Sequence, residues 1–136
     1  MTSKFKTKDV SKAQYTNYLK RSGECYNAAL RSMQEQEWNA AAINTIHSCI
    51  AACDAMCVYF LGRRHSGENH NDAAALFKTI KITEEFGTNA NRIVRILRMK
   101  NMAEYEDRLV YKSEAEKIFK DCERFLEFVN NNLPKR

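Results

Sequence analysis

The segment Ala40–Leu61 constrains the fold more than any other. Its apolar residues (Ala40, Ala41, Ile43, Ile46, Ile50, Ala51, Val58, Phe60) fall on every side of a helix with about 3.6 residues per turn. A helix that is apolar over most of its circumference has to be covered by neighbours. Asn44, His47 and Asp54 interrupt the stretch, which argues for burial in protein rather than a membrane span. The segment therefore predicts the central helix of a bundle, running from about Glu37 to Leu61. Its many Ala and Cys side chains let adjacent helices approach closely, and Gly62 is placed to end it in a left-handed turn.

The rest of the chain has the means to surround such a helix. With 136 residues it can bury about two-thirds of its unfolded surface as one domain. One Pro and four Gly are too few to supply the turns of a sandwich or barrel. Breaks fall at Gly62–Asn71, Lys81–Asn89 and Glu106–Ser113, and the apolar spacing between them is helical. A first helix spans about Ser11–Gln36, with Tyr15, Tyr18, Leu19, Tyr26, Ala29, Leu30 and Met33 along one side. A short third helix spans Asn71–Ile80. A fourth starts near Thr88 or Asn89 and carries Ile93, Val94, Leu97 and Met102. The last opens at Ser113, whose S-x-x-E spacing to Glu116 reads as a capping box, and stops at Asn130–Asn132 and Pro134. The expectation is an all-α antiparallel bundle of four long helices and one short one over residues 11–133. A solvated basic arm covers residues 1–10 and a short tail residues 134–136.

Chemistry-bearing patterns are few. No Glu-x-x-His occurs, which removes a di-iron bundle. Cys49, Cys53 and Cys57 share one helix face, but a soft-metal site needs a further ligand such as Cys122. Buried thiols are the simpler reading, so neither metal nor cofactor is expected. Five cysteines, none in a C-x-x-C pair, and no apolar run in Met1–Val10 point to a reduced, cytoplasmic chain without a membrane partner.

The net charge of +5 is unevenly placed. Lys4, Lys6, Lys8, Lys12, Lys20 and Arg21 crowd the start, with Tyr15 and Tyr18 between them. Arg92, Arg95 and Arg98 recur every three residues on the fourth helix, with Lys100 beyond. Such a ridge repels itself unless an anion or carboxylates lie nearby, and phosphate matches the guanidinium fork. Glu84, Glu85, Glu104 and Glu106 are the carboxylates close in sequence. The loop Gly62–Asn71 holds Arg63, Arg64, His65 and His70 and is more polar than a plain connection requires. Asp54, on the most apolar helix, needs a partner, for which an Arg or His of this loop, or one of the fourth helix, is the natural choice.

Two segments, AAINTIHSCIAACDAMCVYFLGRRHSGENHNDAAALF (Ala41–Phe77) and RILRMKNMAEYEDRLVYKSEAEKIFKDCERFLEFV (Arg95–Val129), resemble the HEPN (higher eukaryotes and prokaryotes nucleotide-binding) family. They match its central helices, its Gly-Arg/His loop and the Lys-Asn-x-Ala-x-Tyr turn before the capped last helix. The resemblance implies a helical bundle acting on nucleotide or RNA as a homodimer, with a separate nucleotidyltransferase or antitoxin chain as a further partner. Ribonuclease members carry Arg, four to six residues, then His near the end of the fourth helix. Here Lys100 stands where the Arg belongs and Tyr105 where the His belongs. A phenol, with an ordinary pKa of about 10, is a poor general base at neutral pH.

The leading expectation is therefore a protein that binds nucleotide or RNA through a basic polar cleft and is weak or inactive as a nuclease. Arg64, His70, Arg95, Arg98, Lys100, Asn101 and Tyr105 are its candidate binding residues, with Asp54 as a structural polar pair. The first alternative is a metal-independent, toxin-like endoribonuclease in which His70 replaces Tyr105 as the base, these two being the candidate catalytic residues. The second is a non-enzymatic interaction module.

Overall fold

A computed structural model describes residues 6–135. The elements in order are β1 (Thr7–Asp9), a short 3-10 turn (Lys12–Gln14), α1 (Tyr15–Gln34), α2 (Trp38–Leu61), β2 (Arg63–His65), α3 (Asn71–Lys78), α4 (Glu84–Tyr105) and α5 (Lys112–Asn132). Four long helices and one short one thus form the bundle, as expected.

Sequence dictates how closely α1 and α2 pack. Ser22 and Ser48 are buried where the two helices meet, and Ala29, Ala41 and Ala42 are fully buried nearby. Small side chains bring the backbones near enough for each serine hydroxyl to donate to the other's carbonyl oxygen at 2.8 Å. The far side of α2 faces bulkier partners. Phe77 of α3 meets Phe86 of α4 at 5.3 Å and Phe125 of α5 at 5.6 Å between ring centroids. Phe128 closes the cluster edge-on to Phe86 at 5.0 Å. Helix α2 is long and apolar enough to pass as a membrane span, but 72% of that stretch is buried inside the bundle. The thiols of Cys53 and Cys122 point at the carbonyl oxygens of Ala73 and Thr45 from inside this core.

Helix boundaries depart from expectation where local hydrogen bonds outrank residue type. Helix α4 begins at Glu84, about a turn before Thr88, because the Thr83 hydroxyl accepts from the Phe86 N–H at 3.2 Å. Gly87 is thereby absorbed into the first turn instead of marking the break. The expected Ser113–Glu116 box does not start α5. Glu114 instead accepts from the Tyr111 N–H at 2.9 Å and takes both guanidinium nitrogens of Arg108 at 2.9 and 2.7 Å. Helix α1 stops at Gln34, and Gln36 turns left-handed (φ 60°) to reverse the chain into α2. Gly62, with φ 70°, ends α2 in the left-handed turn its position foretells.

The start of the chain is the larger correction. Lys4 lies outside the described residues, but Thr7–Asp9 do not form a solvated arm. They pair antiparallel with β2, Thr7 opposite His65, Lys8 opposite Arg64 and Asp9 opposite Arg63. Val10 N–H to Gly62 O at 3.0 Å and Ser66 N–H to Lys6 O at 3.1 Å extend the ribbon at both ends. The backbone of the polar loop is satisfied by the chain's own beginning.

Candidate functional site

With its three strand residues tied to β1, the loop after α2 is aimed at the last two turns of α4. A polar cleft of about 280 Å³ opens there, lined by Glu68, Asn69, His70, Asn71, Leu97, Lys100, Asn101 and Tyr105. Four of the candidate residues, His70, Lys100, Asn101 and Tyr105, therefore converge although they come from two separate segments. Helix α3 opens on the same cleft at Asn71, whose N–H is capped by the Asn69 side chain at 3.0 Å. The positive end of that helix faces the space Lys100 borders.

Lys100 is held in place. Its Nζ lies 3.0 Å from Glu104 Oε2 one turn on, and 5.5 Å from the centre of the Tyr105 ring. Glu104 also faces His47 of α2, with Nε2 3.6 Å from its Oε1. Burial alone would raise the Glu104 carboxyl, but Lys100 and His47 overcome it and the pKa falls below the ordinary carboxylate value. The hydrogen bond to Glu104 raises Lys100 in turn. Tyr105 is 71% exposed, a ring laid open at the rim.

His70 has the environment of a neutral imidazole. Burial lowers its pKa, and the neighbouring charges of Lys100 and His65 lower it further. Its Nδ1 is buried with no hydrogen-bond partner. With Nδ1 enclosed, Nε2 is the ring nitrogen left to serve the cleft, as donor or acceptor according to tautomer. His65 supports it from behind, ring centroids 5.8 Å apart. Burial lowers His65 as well, against the opposing charge of Asp72. A Cβ at Gly67 would meet His65 Nε2 at 3.3 Å, a tight contact that glycine avoids at this corner. All three histidines of the chain thus lie around the Lys100–Glu104 pair or directly behind it.

Three expected binding residues are elsewhere. Arg95 makes a two-pronged ion pair with Asp121 of α5, both hydrogen bonds at 3.0 Å. Arg98 borders the groove between α4 and α5 with Glu114, Lys117 and Asp121. The reason is helical geometry: at about 100° per residue, Lys100 points roughly 200° away from Arg98. Arg64 turns from β2 toward α1, where its Nε donates to the Tyr18 hydroxyl at 3.1 Å and its Nη1 to the His65 carbonyl at 2.9 Å. Among the described residues it makes no ion pair with Asp54, so the expected polar pair is not formed. Asp54 is half-buried and, among the described residues, makes no hydrogen bond. Burial lifts its pKa to about 7, against the pull of Arg64 and Arg21.

The cleft is consequently polar rather than strongly basic. Lys100, paired with Glu104, is the cation of its lining and Glu68 the carboxylate, with the start of α3 and amides from Asn69, Asn71 and Asn101 around them. His47 and Glu104 are the participants that sequence reasoning missed. His47 counts there only against a membrane span, and Glu104 only as one of four carboxylates near the arginine ridge. The signal that could have found them is the helical i, i+4 spacing of Lys100 and Glu104. Among the described residues no group of three or more His, Cys, Asp or Glu is arranged to hold a metal ion.

A family model described as HEPN domain matches residues 15–132, from the first residue of α1 to the last of α5. No curated protein matches the chain.

Proposed function

Since the chain belongs to the HEPN domain family, we propose that its cleft binds a nucleotide phosphate, free or within RNA. The carrying observation is the convergence of Lys100, the opening turn of α3 and a neutral His70 on one space. Lys100 supplies the full charge, and the α3 N-terminus adds oriented dipole where an anion would rest. In its Nε2–H tautomer His70 offers a donor at no cost of protonation. Asn69, Asn71 and Asn101 can pair with base or sugar edges, and the open Tyr105 ring gives a base a face to stack on.

Titration calorimetry with AMP tests this reading. The wild type binds, Lys100→Ala and His70→Ala each weaken binding at least tenfold, and Arg98→Ala leaves it unchanged. Equal binding by all four proteins, or no binding by the wild type, would remove the assignment.

One observation favours a second reading. In the tautomer whose Nε2 is bare, a neutral imidazole beside a lysine is suited to take a 2′-hydroxyl proton while the cation steadies the phosphate. In that reading the protein is a metal-independent endoribonuclease that leaves a 2′,3′-cyclic phosphate, and His70→Ala abolishes cleavage. RNA bound but uncut by wild type returns the protein to a binding role. The homodimer and the nucleotidyltransferase or antitoxin partner remain part of the proposal. Light scattering and co-purification test them.

A further inference from the structure

Outside the cleft, the ridge Lys12–Tyr15–Tyr18–Arg21 runs from the 3-10 turn into α1 at a spacing of three residues. Each cation on it lies against an aromatic ring. Lys12 Nζ is 4.3 Å from the centre of Tyr59, and the Arg21 guanidinium carbon 5.4 Å from that of Tyr18. Tyr59 is the hub of a ring cluster, edge-on to Tyr15 and to Phe60 with centroids 4.9 Å apart in both cases. Phe60 is 43% exposed at the end of the most apolar helix.

The charge around these rings is poorly balanced. Lys8 stands directly across the ribbon from Arg64, and like charges in that position oppose pairing. Asp9 is the single carboxylate of the two strands. Asp54 lies near both Arg21 and Arg64, and among the described residues none of Lys8, Lys12, Arg21, Arg63 or Arg64 makes an ion pair.

We propose that this ridge, with Phe60 and the ribbon, is a docking track for single-stranded RNA. Cations set around one open ring, Phe60, with the half-buried tyrosine edges beside it, serve a strand that offers phosphates and an unstacked base together. An anionic lipid surface would be met by a broad apolar face, and here one ring is substantially open. The inference rests on the nucleotide reading of the cleft for its choice of polymer, because β2 runs from the ribbon into the loop that carries His70.

The test is fluorescence anisotropy with a labelled single-stranded RNA of about 16 nucleotides, within known site sizes. Lys12→Gln/Arg21→Gln is expected to weaken binding and flatten the slope of log affinity against log salt by about 1.4, roughly 0.7 for each phosphate no longer neutralised. Phe60→Ala is expected to weaken it by roughly 5- to 150-fold, as removal of a stacking ring does. Both variants keep the wild-type circular dichroism and AMP affinity. Wild-type RNA affinity and salt slope in both variants would overturn the track, as would a wild type that binds phosphatidylserine vesicles and no RNA. RNA binding abolished only by Lys100→Ala would overturn the track and leave the cleft standing. Ridge-dependent RNA binding without AMP binding would support the track and remove the cleft.

Discussion

The Ser22 hydroxyl donates to the Ser48 carbonyl and the Ser48 hydroxyl to the Ser22 carbonyl, both at 2.8 Å. This reciprocal pair fixes the closest approach of α1 to α2 and leaves no room for a larger side chain. Ser22→Leu is expected to force the helices apart at a cost of about 1–3 kcal/mol. Ser22→Ala, which keeps the approach and removes one bond, costs about 1 kcal/mol. Urea denaturation of both variants checks the ordering.

Asp54 gives stability an unusual pH dependence. Its folded pKa of about 7 stands above the ordinary value, so the folded protein binds this proton more tightly than the unfolded chain. The contribution is present at low pH and is lost as pH rises from about 4 to about 7. Asp54→Asn removes the loss, and its Tm at pH 8 is expected to exceed that of wild type by a few degrees. Equal Tm values at pH 8 would show that the carboxylate has found a partner.

His65 and His70 act in the opposite sense. Their pKa values are lowered on folding, so the unfolded chain binds these protons more tightly. Their contribution is present above about pH 6.5 and is lost as pH falls toward the depressed folded values. Wild-type stability is therefore expected to vary little between pH 5 and 7, where the two slopes oppose. In Asp54→Asn the histidine slope emerges alone, and stability rises with pH across that interval. Thermal melts at half-unit pH steps separate the cases.

The cation at Lys100 can be read directly from its neighbour. Lys100 is one of the charges that hold His70 down. Lys100→Met is expected to raise the His70 pKa, visible in the NMR titration of its ring protons, while Arg98→Met leaves it in place. No change on Lys100→Met would mean that burial alone sets the value.

Gln36 occupies a left-handed conformation at φ 60° that glycine adopts without strain. Gln36→Gly is expected to stabilise the protein by about 0.5–1 kcal/mol. A denaturation midpoint that falls would instead show the Gln36 side chain to be needed in the α1–α2 turn.

How far these features could be read in the sequence depends on their physical range. The five helices follow from apolar spacing, since a buried stripe is a local pattern that tertiary packing only confirms. The start of α4 was hidden because Gly87 and Thr88 resemble a break, while the cap belongs to Thr83. The ribbon was illegible: Thr7–Asp9 and Arg63–His65 have no apolar alternation, and their pairing is stabilised by backbone groups that carry no sequence mark. In the site, His70, Lys100, Asn101 and Tyr105 could be named as a set because helix ends and loops gather at one end of a bundle. Arg95 and Arg98 were drawn in by closeness along the chain, although Asp121, which takes Arg95, lies 26 residues further on. His47 reaches the site from α2, and its partner Glu104 is 57 residues away, so nothing in either local pattern joins them.

The ribbon makes the cleft dependent on a segment that contributes no residue to it. β1 is a three-residue strand at the end of the chain, and its pairing offsets only narrowly the entropy of ordering it. The pairing can therefore open while the five helices stay packed, and the amides of Val10 and Ser66 should exchange with solvent well before those of α2. Integrity of the fold and integrity of the cleft are then separate equilibria. Opening the ribbon would release the strand that leads into the loop carrying His70, so amide exchange at Val10 and Ser66 reports on the cleft separately from the bundle.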